Sequence, residues 1–436
     1  MNNEYIIKVK QVVGKRIASP PPGPVYLHVK KSYLANVTDS FQSLPSNLAL
    51  VDESDKTALP GLIDMHVHLT RDEPGAAINL APVYLAHGVT SVRDVGSDLQ
   101  AIKKMRSRID SGEVPGPRIF FCGPQLNGKA FRPGMCSLQT PDEARGKVHE
   151  LYAEGVHALK IYDQLQPSLA QVVIEEAREL ALPVCGHLGK TTAREAISFG
   201  VSGVEHLTSL IFELFNGEPR NPFPQDLFRR VSEIDLHSSF ARQLCKSAVA
   251  GGIYLDPTLV VYDRIRRFPE LKGGEQSPVI PLPLRDYWLV RMSKFVSDWV
   301  KSDFELAKYS FDKLKSWLKF IESEGALICA GTDTPNPYLV PGQALLDEIK
   351  LLAEAGLSNA AAVGAATFVA AKALNQAGEI GAIEIGKRAD FLLLQGDPLA
   401  DISAVEKISA VFKDGVRYEP ETLLRVAAEM SAGGSM

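Results

Sequence analysis

The run "GLIDMHVHL" (61–69) sets Asp64, His66 and His68 inside an otherwise apolar stretch. A buried polar group left unpaired costs about 1–3 kcal/mol, so two imidazoles in such a run need a shared partner. Strand side chains alternate between faces, so His66 and His68, two apart, point the same way. Four more residues of suitable chemistry stand at or near the ends of later apolar runs. They are Lys160 in "ALKIYD" (158–163), His187 in "LPVCGHL" (182–188), His206 in "GVEHL" (203–207) and Asp333 in "ALICAGTD" (326–333). Imidazoles and a carboxylate converging on one point make a nitrogen and oxygen ligand set suited to zinc or a similar divalent ion. His28, His87, His149, His157 and His237 fit no such position and read as structural or surface residues.

Convergence requires elements that bring distant residues together. Apolar runs at 61–69, 90–96, 117–123, 158–163, 182–188, 203–207, 253–259 and 326–333 read as strands. Amphipathic segments such as "PSLAQVVIEEARELA" (167–181) and "TTAREAISFG" (191–200) lie between most of them. Strands alternating with helices in this number, over roughly 270 residues, predict an α/β fold of the (β/α)8 TIM-barrel type, whose chemistry collects at the C-terminal strand ends. Before residue 59 the chain shows short β-like runs broken by turn signals such as "SPPPGP", and strand texture returns after a helical region ending near 375. The expected division is therefore a small flanking β-sandwich from 1–58 and 376–436, around a barrel at 59–375. The segments 213–240 and 258–325 are long enough to be pocket walls at the barrel mouth. Within the second, "YWLVRMSKFVSDWVKSDFELAKYSFDKLKSWLKFIESEG" reads as long helix, and the final "SAGGSM" as a frayed tail.

Composition narrows the partners. The 436 residues are 45% hydrophobic and 23% charged with a net charge of −5, which offers no broad basic surface for nucleic acid or anionic lipid. No apolar run is long enough to span a bilayer, and "MNNEYIIKVK" has no secretory h-region. The five cysteines are scattered without a CxxC pair, as reduced cytosolic thiols are. The expectation is a cytoplasmic protein acting on a small molecule, with neither nucleic acid nor membrane as partner and self-association left open.

The ordered motifs "ALPGLIDMHVHL", "GVTSVRDVG", "ALKIYD", "LPVCGHLG", "GVEHL", "AGTD" and "GEIGAIEIGKRADFLLLQGDPLADI" resemble the amidohydrolase superfamily. The resemblance is greatest to its imidazolonepropionase and prolidase-like branch, which includes metal-dependent dipeptidases, and it runs from about residue 58 to 418. It implies a binuclear metal centre, with two divalent ions such as zinc. His66 and His68 would hold one ion with Asp333, and His187 and His206 the other. Lys160 would be N6-carboxylated, its carbamate bridging both, because a free ammonium has no lone pair to donate. The implied chemistry is attack by a metal-bridging hydroxide with Asp333 as general base, cleaving dipeptides of the Xaa-Pro or Xaa-Arg kind or N-acyl amino acids.

A substrate carboxylate would need a cation or a phenol, and Tyr162, Tyr254, Tyr262, Arg264 and Lys190 stand near strand ends. Lactone or organophosphate ester hydrolysis would use the same two ions. A mononuclear deaminase needs a glutamate three residues after a histidine ligand, but "LGK" follows His187 and "LTS" follows His206. A non-catalytic binding protein of this fold would have lost ligand positions that are filled here. Asp64 is expected to orient a ligating imidazole, and Arg93 and Asp94 are expected to pair with each other.

Overall fold

A computed structural model describes residues 4–14, 23–70, 78–215, 224–273 and 279–432. The barrel is built from two hydrogen-bonded groups of strands, one of three and one of seven. The seven include an edge strand, Met135–Ser137, that pairs with Gln125–Asn127 and is not one of the eight barrel positions. The first group is Leu62–Val67, Val89–Asp94 and Arg118–Phe121, all parallel. Gly123, at a φ of 71° that a side chain would disfavour, kinks the third strand before it resumes at Gln125–Asn127. From there Leu126 pairs with Ile161 of the fourth strand, Leu159–Ile161. Parallel pairing continues through Val184–Gly186, Gly203–Glu205, Tyr254–Asp256 and Leu327–Ile328. The ring closes where Met65 N donates to Ala330 O at 3.0 Å and Val67 bridges Thr334. All eight apolar runs thus become barrel positions.

Gly203 shows why small residues recur in these strands. A Cβ there would come within 2.0 Å of the Tyr254 ring, so the sixth strand passes under the seventh only as glycine.

Both chain termini enter one seven-stranded sheet beside the barrel. Its order is Val416–Tyr418, Ile408–Lys413, Phe391–Leu394, Leu50–Pro60, Glu4–Val12, Val25–Lys30, Tyr33–Thr38. Two facing sheets were expected from both termini; among the described residues their strands form this single continuous sheet. It encloses its own apolar cluster, in which Leu27, Val29 and Leu34 from one end share a core with Phe391, Leu393 and Phe412 from the other. Leu50–Pro60 runs through Gly61 straight into the first barrel strand. Arg118 of the third barrel strand reaches out to Asp390 and Asp414, each at 2.6 Å, and ties sheet to barrel.

The mouth insertions are helical. Pro224–Glu233 and Ser239–Ala250 precede the seventh strand, while Leu259–Arg266, Phe268–Leu271, Leu282–Phe295 and Lys301–Ser323 precede the eighth. The stretch read as long helix breaks between Phe295 and Lys301, because Asp303 reaches back to Val300 N at 2.8 Å and starts a new helix there. The C-terminal tail is not only strand: Pro420–Ala432 is a helix packed on the barrel helix Ala81–Ala86. Of "SAGGSM", residues 433–436 lie outside the described residues. No described helix is long and apolar enough to cross a membrane.

Candidate metal centre

The first strand delivers His66 and His68 to the barrel mouth, and the four site histidines form a contiguous arc. Ring centroids are 5.5 Å apart for His66 and His68, 4.6 Å for His66 and His206, and 4.7 Å for His206 and His187. Asp333 faces this arc, its carboxylate 3.1 Å from His68 Nε2, 3.6 Å from His66 Nε2 and 4.0 Å from His206 Nε2. Ligand atoms of His66, His206 and Asp333 lie within 4.8 Å of one another. The structure thus brings together His66, His68, His187, His206 and Asp333.

The opposite ring nitrogens are already committed. His68 Nδ1 donates to Gly96 O at 3.2 Å, which requires the proton on Nδ1 because a carbonyl only accepts. His66 Nδ1 lies 2.8 Å from Glu205 Oε2, and His206 Nδ1 lies 2.8 Å from Thr258 Oγ1. The Gly96 carbonyl thus fixes at His68 the tautomer that ligating histidines need, and the Glu205 and Thr258 contacts are compatible with it at His66 and His206. Burial would raise the Asp333 carboxyl, but His66, His68 and His206 outweigh it and hold it well below the usual range. Burial, the largest cause, pushes His206 well below the usual imidazole range and favours its neutral form, which suits ligation.

Lys160 completes the set from the fourth strand. It is 1% exposed, and its Nζ has no hydrogen-bond partner among the described residues. Three donors left unsatisfied in a buried site are costly for a free ammonium.

Backbone strain helps assemble the site. His206, Thr258 and Asp333 have φ of 62°, 46° and 58°, left-handed values rare for non-glycine and most unfavourable for a β-branched threonine. At His206 the reversal lets consecutive residues, Glu205 and His206, both meet His66, which plain strand alternation forbids.

Several supporting residues escaped the sequence reading. Arg93 does not pair with Asp94. It crosses the barrel interior to Glu205 Oε1 at 2.7 Å, also donating to Met65 O and the Tyr254 hydroxyl, while Asp94 accepts from Leu69 N, Gly96 N and Ser97 Oγ. Adjacent strand residues face opposite ways, which separates the two. Asp64 holds no imidazole; it accepts from His66 N and from Thr332 N and Oγ1, joining the first strand to the eighth. Asp256, fully buried on the seventh strand, lies 3.3 Å from His66 Nδ1. A charged residue inside an apolar strand, as in "GVEHL" and "IYLDPTL", was the available signal for Glu205 and Asp256.

The remaining histidines have local partners elsewhere: Glu4 for His28, Val83 O for His87, Glu176 for His149, Phe121 N for His157 and the Phe320 ring for His237.

A cavity of about 710 Å3 opens beside the arc, reaching His187, His206 and Asp333. Tyr162 and Tyr262 line it, with Asp163, Lys190 and an apolar wall of Phe212, Val261, Ile265, Met292 and Phe295. Tyr162 packs on His187 with centroids 4.8 Å apart, and the Tyr262 hydroxyl meets Thr208 Oγ1 at 3.2 Å. Tyr254 is not among the lining residues; its hydroxyl is held by Arg93 inside the barrel. Arg264 is committed to Asp263, Asp347 and Tyr338 O.

Comparison with known proteins agrees with this architecture. No curated protein matches the chain by sequence. Among solved structures, a Xaa-Pro dipeptidase with methionine bound in its active site aligns at 23% identity and TM-score 0.70, over 95% of this chain and 100% of that one. A Bifidobacterium longum protein described as a prolidase aligns at 25% identity and TM-score 0.69, over 98% of this chain and 99% of its own. Bottromycin amidohydrolase aligns at 18% identity and TM-score 0.75, over 99% and 91%. The model of the amidohydrolase family matches residues 57–417, which include every residue of the arc, and the chain belongs to that family.

Proposed function

We propose that this amidohydrolase cleaves the amide bond of dipeptides or N-acyl amino acids, of the Xaa-Pro or Xaa-Arg kind. Two divalent ions, zinc by the chemistry of the donors, would be held by His66, His68, Lys160, His187, His206 and Asp333. The observation that carries the reading is the convergence of Nε2 atoms on Asp333 while each opposite nitrogen of His66, His68 and His206 is tied down. Carboxylation of Lys160 would turn an unsatisfied buried cation into an anionic bridge. When bound, the ions supply Lewis acidity to a carbonyl and acidify water.

The residues do the rest. Asp333 takes the proton of the attacking water and returns it to the leaving nitrogen, a role open to a carboxylate kept ionised by its neighbours. Glu205 and Thr258 keep the imidazoles aimed, and Arg93 keeps Glu205 charged and in place. Tyr162, directly after the fourth strand, and Tyr262, on the helix Leu259–Arg266, border the substrate, and the apolar wall excludes water from the scissile bond.

Elemental analysis of the purified protein, with turnover of a panel of Xaa-Pro and Xaa-Arg dipeptides and N-acetyl amino acids, tests the reading. About two ions per chain and cleavage of a panel member are expected. Metal-free protein that stays inert after zinc and bicarbonate are supplied would refute it.

A further inference from the structure

The helix Leu259–Arg266 begins without the cap its sequence offers. The first N–H groups of a helix have no partner within it, and a threonine just before them commonly supplies one from its hydroxyl. Thr258 holds that position, but its side chain makes no capping bond to the helix. It stands at a φ of 46° and turns its Oγ1 to His206 Nδ1, 2.8 Å away. The hydroxyl that would cap the helix serves a site imidazole instead.

The cap comes from another element. Glu348 is fully buried on the helix Gln343–Glu354, which follows Asp333 in the chain. Its carboxyl accepts from Leu259 N at 3.0 Å and from Val260 N at 2.7 Å. Val261 N bonds back to Thr258 O at 3.1 Å, so the first three N–H groups all have partners. A buried carboxyl is costly unless its hydrogen bonds offset the burial, so packing alone would favour an apolar residue at 348. Left-handed backbone at a β-branched residue costs about 1–3 kcal/mol and persists only where the surroundings over-determine it. Glu348 helps to determine it, by fixing the two residues that follow Thr258.

We infer that Glu348 is a positioning residue for His206, acting through Thr258. By capping the helix from outside, it lets the Thr258 hydroxyl hold the imidazole with Nε2 towards Asp333. The inference rests on the metal-centre reading above and adds to it a residue that touches neither ion nor ligand.

The test uses the full chain, stripped with a chelator and titrated with zinc alone, its affinity read by competition with a chelating dye. Thr258→Ala should weaken zinc binding about 10–100-fold, and Thr258→Ser, which keeps the hydroxyl, should retain most of it. Glu348→Gln keeps the shape but sets an amide NH2 against one of the two backbone donors, and should weaken zinc binding about tenfold. Should that variant fail to fold, Glu348→Asp, one methylene shorter, carries the same comparison. Added to Thr258→Ala, Glu348→Gln should cost little more, because the hydroxyl it acts through is gone. Ser238→Ala removes the cap of Ser239–Ala250, a helix without any arc residue, and should lower the melting temperature with zinc affinity unaltered. Unchanged affinity in Glu348→Gln, additive losses in the double variant, or an equal loss in Ser238→Ala would overturn the assignment and leave the metal centre standing. A parent chain that binds no zinc would remove both.

Discussion

At the scale of single residues, the site is a set of strong donors kept from wandering. His66 illustrates it: Glu205 and Asp256 crowd Nδ1 while Nε2 looks towards Asp333. Glu205 is itself held ionised, because burial, which would raise its carboxyl, is outweighed above all by the Arg93 guanidinium, which keeps it well below the usual range. Removing that brace acts on the metal without touching a ligand. Glu205→Gln should weaken zinc affinity by about 10–100-fold, measured by competition with a chelating dye. An unchanged affinity would mean that the imidazole needs no anionic partner. His66→Ala and Asp333→Asn, by contrast, should abolish turnover with the circular dichroism of the fold unaltered.

The elements decide where such residues can stand. The outer sheet is tied to the barrel through Arg118, whose guanidinium lies between Asp390 and Asp414, at 2.6 Å from each. Burial would raise the Asp414 carboxyl, yet Arg118, Lys413 and Arg388 overcome it and lower it. A carboxyl depressed in the folded state adds stability above its ordinary range near about 4 and loses it as pH falls towards the folded value. Arg118→Met should therefore lower the melting temperature at pH 7, and the gap from the parent should shrink below about pH 4. A gap that stays constant down to pH 3 would show that the loss comes from packing alone. Strand glycines matter at this scale too: "GVEHL" needs Gly203 because the Tyr254 ring occupies the space of a side chain.

For the whole molecule, three apolar cores among the described residues divide the work. The largest runs through barrel and helices, a second lies within the sheet that both termini share, and a third gathers Ile63, Met65, Phe120, Cys185, Tyr254 and Cys329 at the barrel strands. The site stands on the first, with strained His206, Thr258 and Asp333 carried by well-packed strands. Ions that bind the folded chain alone stabilise it by mass action, about 2.7 kcal/mol at a hundred times the dissociation constant. Stripping the purified protein with a chelator should lower its melting temperature by several degrees, and zinc with bicarbonate should restore it. Restoration by zinc equally well without bicarbonate would argue against a carbamate on Lys160.

The sequence by itself determined the strand positions and the main residues of the arc, because period-two alternation and polar residues in apolar runs are local signals. It could not show that Arg93 abandons its neighbour for Glu205, that Asp64 serves a backbone instead of a ring, or that Tyr254 points away from the cavity. Those outcomes depend on which strands become neighbours across the barrel, where partners lie more than a hundred residues apart in the chain, as His66 and Glu205 do. The left-handed turns at His206 and Asp333 were equally hidden, since Asp and His, though enriched at positive φ, adopt it at only a small minority of their positions. That both termini would share one β domain was expected; that their strands form one continuous sheet was decided by strand pairing, which alternation alone does not specify.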